Sequence, residues 1–177
     1  MSELRTNRIV PRDGLPSGSS GGIIQVVHVN TSDHTYETST SYTDITGVTA
    51  TITPTRSDSK ILIQCTLAVS KENNHSFLGR IVRNGSVITG SGGVAESGHG
   101  NQIDGVWWNV RTTTYSANPF AVSYLDSPSS TSAITYKAQG KTTNASYPFA
   151  INRTTSSQDL EYASPAFSMI TLMEVSG

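Results

Sequence analysis

From residue 60 to residue 70 the chain alternates with a period of two. Ile61, Ile63, Cys65, Leu67 and Val69 fall on one side, and Lys60, Gln64, Thr66 and Ser70 on the other. Successive side chains of a strand point to opposite faces, so this segment predicts a strand with one buried face. A half-buried strand needs partners, and the rest of the chain offers them. Residues 23–29 form a run rich in β-branched residues, and residues 49–52 alternate and stop before Pro54. Residues 80–88 read as a hairpin, with Asn84-Gly85 as a type I′ turn. Residues 105–111, 120–125, 133–139, 150–152 and 167–175 read as further strands, and Asp126-Ser127-Pro128 as a turn. Residues 31–41 and 91–102 carry no clear pattern; the second is Gly-rich and reads as a long loop. Composition supports strands over helices. Ser (26) and Thr (23) make up 49 of 177 residues, while charged residues are only 14%. Thr favours strands and Ser favours turns, whereas helices draw on Ala, Leu, Glu and Lys. Eight or nine short strands with no long helix predict an all-β chain, an antiparallel β-sandwich of jelly-roll-like form.

Two strands break the one-wet-face rule. Residues 23–29 and 167–175 are apolar on both sides. Such strands either lie centrally under a loop or turn their outer faces to another subunit. Ile170 and Leu172 are the expected subunit contacts on the terminal strand. Residues 1–22 differ from the rest. They hold Leu4, Ile9 and Val10 among Arg5, Arg8 and Arg12, followed by the Gly- and Ser-rich residues 17–22. This reads as an extended N-terminal arm with a flexible linker, ahead of a head domain of residues 23–177.

Several functions are excluded or unsupported. A net charge of −1 lacks the basic field of a non-specific nucleic-acid binder. No apolar run approaches the ~18 residues of a membrane-spanning helix. The first residues have no signal-peptide core. One cysteine forms no intrachain disulfide, and Cys65, on the apolar face of its strand, reads as core rather than nucleophile. His28, His34, His75 and His99 show no metal-ligand spacing, and no GxSxG elbow, P-loop or GxGxxG occurs. Neither a metal nor a cofactor is expected, and the chain reads as non-enzymatic. Paired carboxylates of a glycan depolymerase converge only in space, so that reading stays a weaker rival. Trp107 and Trp108 are adjacent, so on a strand they face opposite ways. The outward one is a half-buried residue under a loop, a subunit contact or a carbohydrate platform. Asn101, Gln102 and Arg111 would supply the polar partners of a glycan site.

The segments Ser2-Glu3-Leu4-Arg5-Thr6-Asn7-Arg8-Ile9-Val10-Pro11 and Gly22-Ile23-Ile24-Gln25-Val26-Val27 resemble the start of virion appendage proteins of tailed phages, marine and cyanobacterial ones especially. Similar segments are Ile52-Thr53-Pro54 through Ile63, Ser123-Tyr124-Leu125-Asp126-Ser127-Pro128 through Lys137, Ile151-Asn152-Arg153, and Met169 to Val175. The resemblance covers most of the chain and implies a structural component of the virion surface: a tail fibre, head fibre, capsid knob or decoration with a jelly-roll head. No long shaft separates arm from head, which favours a short appendage. On this reading Leu4, Arg5, Arg8, Ile9 and Val10 anchor the chain to a capsid or tail protein. The head is a homotrimer packed about a three-fold axis, assembled in the host cytoplasm without a signal peptide. Its loops at residues 91–102 and 115–119 contact the host surface. The alternative is a carbohydrate-binding module that uses its exposed aromatic residues.

Overall fold

The computed structural model describes residues 22–71, 75–88, 108–110, 115–156 and 166–177. These form eleven strands: β1 (Ile23–Thr31), β2 (Thr35–Glu37), β3 (Thr43–Ile52), β4 (Lys60–Lys71), β5 (Phe77–Arg83), β6 (Ser86–Val87), β7 (Trp108–Val110), β8 (Asn118–Asp126), β9 (Ile134–Thr142), β10 (Phe149–Ile151) and β11 (Ser168–Val175). All pairings are antiparallel. One sheet runs β1-β11-β4-β8, with β10 and β2 continuing beside the far end of β4; the other runs β3-β9-β5, with β6 and β7 on the outer edge of β5. The principal pairs are nested: β1 with β11, β3 with β9, β4 with β8, β5 with β7. A long antiparallel ribbon wound over itself produces this nesting, and it is the topology of a jelly roll.

The core lies between the two sheets. The alternation that predicts β4 holds: Ile61, Ile63, Cys65, Leu67 and Val69 are all buried. Ile134, Tyr136 and Ala138 of β9 meet them from the opposite sheet, as do Ile45, Val48, Ala50 and Ile52 of β3. The Asn84-Gly85 turn has positive φ at both residues, 49° and 81°, as type I′ requires. Asn84 also staples the turn to β9, donating its N–H to the Thr135 carbonyl and accepting the Thr135 N–H at Oδ1. Gly47 (φ 75°) sits in the irregular stretch of β3, where the register shifts between Asp44 and Thr49. A Cβ at Gly47 would lie 2.4 Å from Thr31 Oγ1, so only glycine lets β3 approach β1 and close that side of the sandwich.

The two strands predicted to be apolar on both sides resolve differently. β11 is central, between β1 and β4, while β1 is an edge strand. Ile170 and Leu172, expected as subunit contacts, are fully buried in the core of their own chain. They face the second sheet and are closed to any neighbour; the outward residues of β11 are Met169, Thr171, Met173 and Val175.

The far end of the first sheet is covered by residues 152–156. Asn152, in the left-handed region (φ 60°), is fully buried. It donates its N–H to Ala68 O and its side-chain amide to Thr31 O and Asp33 O, and accepts from Ser168 Oγ. Every strong polar atom of this side chain is thereby satisfied, as burial demands. Thr155 N–H donates to Ser70 Oγ, and Ala68 and Ser70 are consequently buried on an otherwise outward register.

Candidate functional site

The outer surfaces of the two sheets differ in chemistry. On the β3-β9-β5 sheet, Asp44 accepts from Lys137 (3.0 Å) and Gln139 (2.7 Å), and Gln139 accepts from Arg80 (2.8 Å). The Arg80 guanidinium lies 3.9 Å from the centroid of the Tyr42 ring, and the Lys141 ammonium 4.9 Å from it. The Gln139 amide and the Lys137 ammonium hold the Asp44 carboxyl below its ordinary range. This is a charged ladder facing water.

The outer surface of the β1-β11-β4-β8 sheet is built in rows that the register defines. Val26, Met173, Leu62 and Leu125 stand side by side in one row. His28, Thr171, Gln64 and Ser123 form the next, with His28 Nδ1 and Thr171 Oγ1 2.8 Å apart. Asn30, Met169, Thr66 and Ala121 form the third. No Asp, Glu, Lys or Arg occurs in the three rows. Val26 is 55% and Leu125 44% exposed. A shallow hollow of about 340 Å³ opens over the second and third rows, between β11 and β8.

The two ends of the sandwich also differ. At the near end Ser176 N–H donates to Gly22 O, so the first described residue lies beside the end of the last strand. Glu174 is fully buried there. Its carboxylate accepts from Gln25 Nε2 (2.6 Å) and from both the N–H and Oγ1 of Thr55 (2.7 Å each), which ties together β1, β11 and the turn before β4. Burial works against the charged form of Glu174, but the Ser59 hydroxyl beside it and the donors of Gln25 and Thr55 outweigh that and hold the carboxyl below its ordinary value of 4.5. A carboxyl depressed on folding contributes stability above its unfolded pKa and loses it as pH falls through the folded value. The thermal midpoint should therefore fall as pH drops below about 4.5, and Glu174→Gln should flatten that fall while lowering the midpoint at pH 7. Calorimetry of both proteins from pH 3 to 7 checks this; equal acid slopes would refute it. At the far end stand Tyr115 and Phe167, 53% and 58% exposed, which precede β8 and β11. Tyr36 of β2 is 49% exposed, with Arg153 5.7 Å from its ring centroid. His75 stacks on Tyr147 at 4.0 Å.

Of the residues singled out in the sequence, Leu4, Arg5, Arg8, Ile9, Val10, Asn101, Gln102, Trp107 and Arg111 lie outside the described residues, as does the loop at 91–102. Trp108 opens β7 and pairs with Gly79 on the edge of the second sheet. Cys65 is buried in the core, and burial pushes its thiol pKa far up, so it stays protonated and unreactive at neutral pH. Among the described residues no group of three or more His, Cys, Asp and Glu side chains is placed to hold a metal ion, and no helix is long and apolar enough to cross a membrane. Sequence reasoning placed Tyr115 in a loop expected to contact a host surface but passed over Tyr36 and Phe167 as exposed aromatics, because a lone aromatic near a turn looks the same whether it packs inward or outward. It also passed over Val26 and Leu125 as neighbours, since only the strand order brings residues 26, 173, 62 and 125 into one row.

No protein-family model matches the chain, and no curated protein is significantly similar to it.

Proposed function

We propose that this protein is a non-enzymatic structural component of a tailed-phage virion. It is a short fibre, knob or decoration, homotrimeric, held to a capsid or tail protein by residues 1–22. The observation that carries this reading is the polarity of the jelly roll. The arm enters at one end, at Gly22, while the exposed aromatics Tyr115 and Phe167 stand at the other. The two ends are about 25–30 Å apart, the length of an eight- or nine-residue strand. A head fixed at one end and offered to the surroundings at the other suits an appendage, and repeated copies on a particle would turn weak contacts into avidity. The segment resemblance supplies the particle; the arm's Leu4, Ile9 and Val10 supply apolar contacts that so short a segment cannot bury alone, and Arg5 and Arg8 bidentate donors to acidic groups.

Substituting Leu4, Ile9 and Val10 together by Ser should abolish incorporation into particles while the head keeps its thermal midpoint. The copy number on purified virions, by quantitative mass spectrometry, checks this. Normal incorporation of the triple variant would overturn the anchor.

The second reading, a carbohydrate-binding module, in a virion or not, is favoured by the same exposed aromatics, since ring faces stack on sugar C–H surfaces. Trp107, Trp108, Asn101, Gln102 and Arg111 remain its proposed contacts. Host envelope polysaccharide should quench the tryptophan fluorescence of the folded head; no response over a millimolar range would leave the structural role alone.

A further inference from the structure

We infer that the outer surface of the β1-β11-β4-β8 sheet is where copies of this chain pack on one another, with the Val26-Met173-Leu62-Leu125 row as the apolar part of the contact. The inference rests on the reading of the protein as a multi-copy appendage and locates its subunit contact. Three observations carry it. First, charge: three consecutive rows across four strands hold no Asp, Glu, Lys or Arg, whereas the opposite sheet carries a ladder of them. Both sheets belong to one chain of one composition, so the contrast marks a difference in what each surface meets. Depletion of charge with retention of Met is the signature of an interface centre.

Second, self-compatibility. Around a three-fold axis equivalent residues of the three copies converge near the axis, so any charge on a face turned to the axis meets its own like. An uncharged surface escapes that repulsion. It also offers nothing to phosphates, to an anionic membrane or to a charged partner protein, each of which needs countercharge. Met169 and Met173 add unbranched side chains that adapt to irregular gaps, and the hollow beside Met169 is such a gap.

Third, size. Four strands about 4.8 Å apart and about seven residues long give a surface of about 20 by 23 Å, so three copies meeting on it bury about 1,400 Å² in all. That reaches the lower bound for a specific contact. Lys60, on the rim beyond the apolar row, stays in water.

The test is the mass of the full-length chain by size-exclusion chromatography with light scattering, without virions. The wild type should run as a multiple of 18.9 kDa, three chains on the trimeric reading. Val26→Lys with Leu125→Lys should raise the dissociation constant about 100-fold or more, because each ammonium would be desolvated without a partner. The variant should then run at one chain with an unchanged thermal midpoint. Thr51→Lys, on the opposite sheet, should leave the mass as in the wild type. If the double variant fails to fold, Ser123→Arg in the middle row gives the same readout. A wild type that stays at one chain up to high micromolar concentration would overturn the inference, as would a folded variant that keeps the wild-type mass. Incorporation of the arm variant tests the virion reading separately, so failure of one is distinguishable from failure of the other.

Discussion

Phe77→Ala should destabilise the head by about 3–5 kcal/mol, the usual range for truncating a fully buried Phe. Phe77 is completely buried on β5, and its ring centroid lies 4.9 Å from that of Phe149 on β10, tilted by 57°. The pair bridges the two sheets near the far end of the sandwich, and an aromatic pair of this geometry adds about 0.5–1.5 kcal/mol beyond burial. Gly140 of β9 makes the approach feasible: a Cβ there would sit 2.5 Å from Phe77 Cε2 and 3.2 Å from Phe149 Cζ. With β strands on both sides the backbone has little freedom to collapse into the vacated volume, which places the cost in the upper part of the range. The urea midpoint should drop with little change in its slope, and the thermal midpoint should fall on the order of 10 °C. Phe77→Leu should lose much less. A Phe77→Ala loss under 1 kcal/mol would mean that the two sheets are not held together at this point.

Asp126→Ala should cost about 2–4 kcal/mol through a different mechanism, the breaking of a nearly buried polar cluster. Asp126 ends β8 and is 4% exposed. Its two oxygens accept from Nη1 of Arg83 at 2.9 Å, and one also accepts from the Tyr136 hydroxyl at 2.6 Å. The carboxylate belongs to one sheet and both donors to the other, so it locks the sheets at the near end as the Phe pair does at the far end. Without it the Tyr136 hydroxyl, in a fully buried residue, loses its acceptor. The Arg83 side chain, 35% exposed, still reaches water, and for that reason the expected cost stays below that of a wholly buried ion pair. A double-mutant cycle with Tyr136→Phe should give a coupling of about 1 kcal/mol or more, since the two residues share one hydrogen bond. Burial first, and the Asp126 carboxylate second, push the Tyr136 phenol well above its ordinary value. Alkaline titration followed at the tyrosinate absorbance should show Tyr136 ionising only with unfolding. Additive losses in the cycle would dismiss the cluster as a unit.

The class of the fold was legible in local pattern. The period of two at residues 60–70 identified β4 and its inward set, because side-chain direction along a strand is a local property of the backbone. The Asn84-Gly85 turn was legible for the same reason, since positive φ at two successive residues is a demand that few dipeptides meet. Alternation over residues 133–139 announced the strand at 134–142, and the short strand at 149–151 was read one residue later, at 150–152. The strand at 35–37, by contrast, has no signal of its own. It is three residues long and exists because β10 lies beside it.

Which side of the terminal strand faced inward was not legible. Ile170 and Leu172 are as apolar as Met169 and Met173, and nothing local distinguishes a core face from an interface face when both are apolar. Burial of Ile170 and Leu172 follows from β11 lying between β1 and β4 above the second sheet, a matter of strand order. The burial of Glu174 is likewise a matter of tertiary contact, because Gln25 and Thr55, 149 and 119 residues away, bring it donors. Local pattern, set by backbone geometry, determined that the chain forms strands, where most of them lie and how several turns are made. The pairing of strands distant in sequence decided the rest: the nested topology, the buried polar clusters and the charge-free outer surface. Those depend on contacts across a hundred residues or more, and no window of neighbouring residues encodes them.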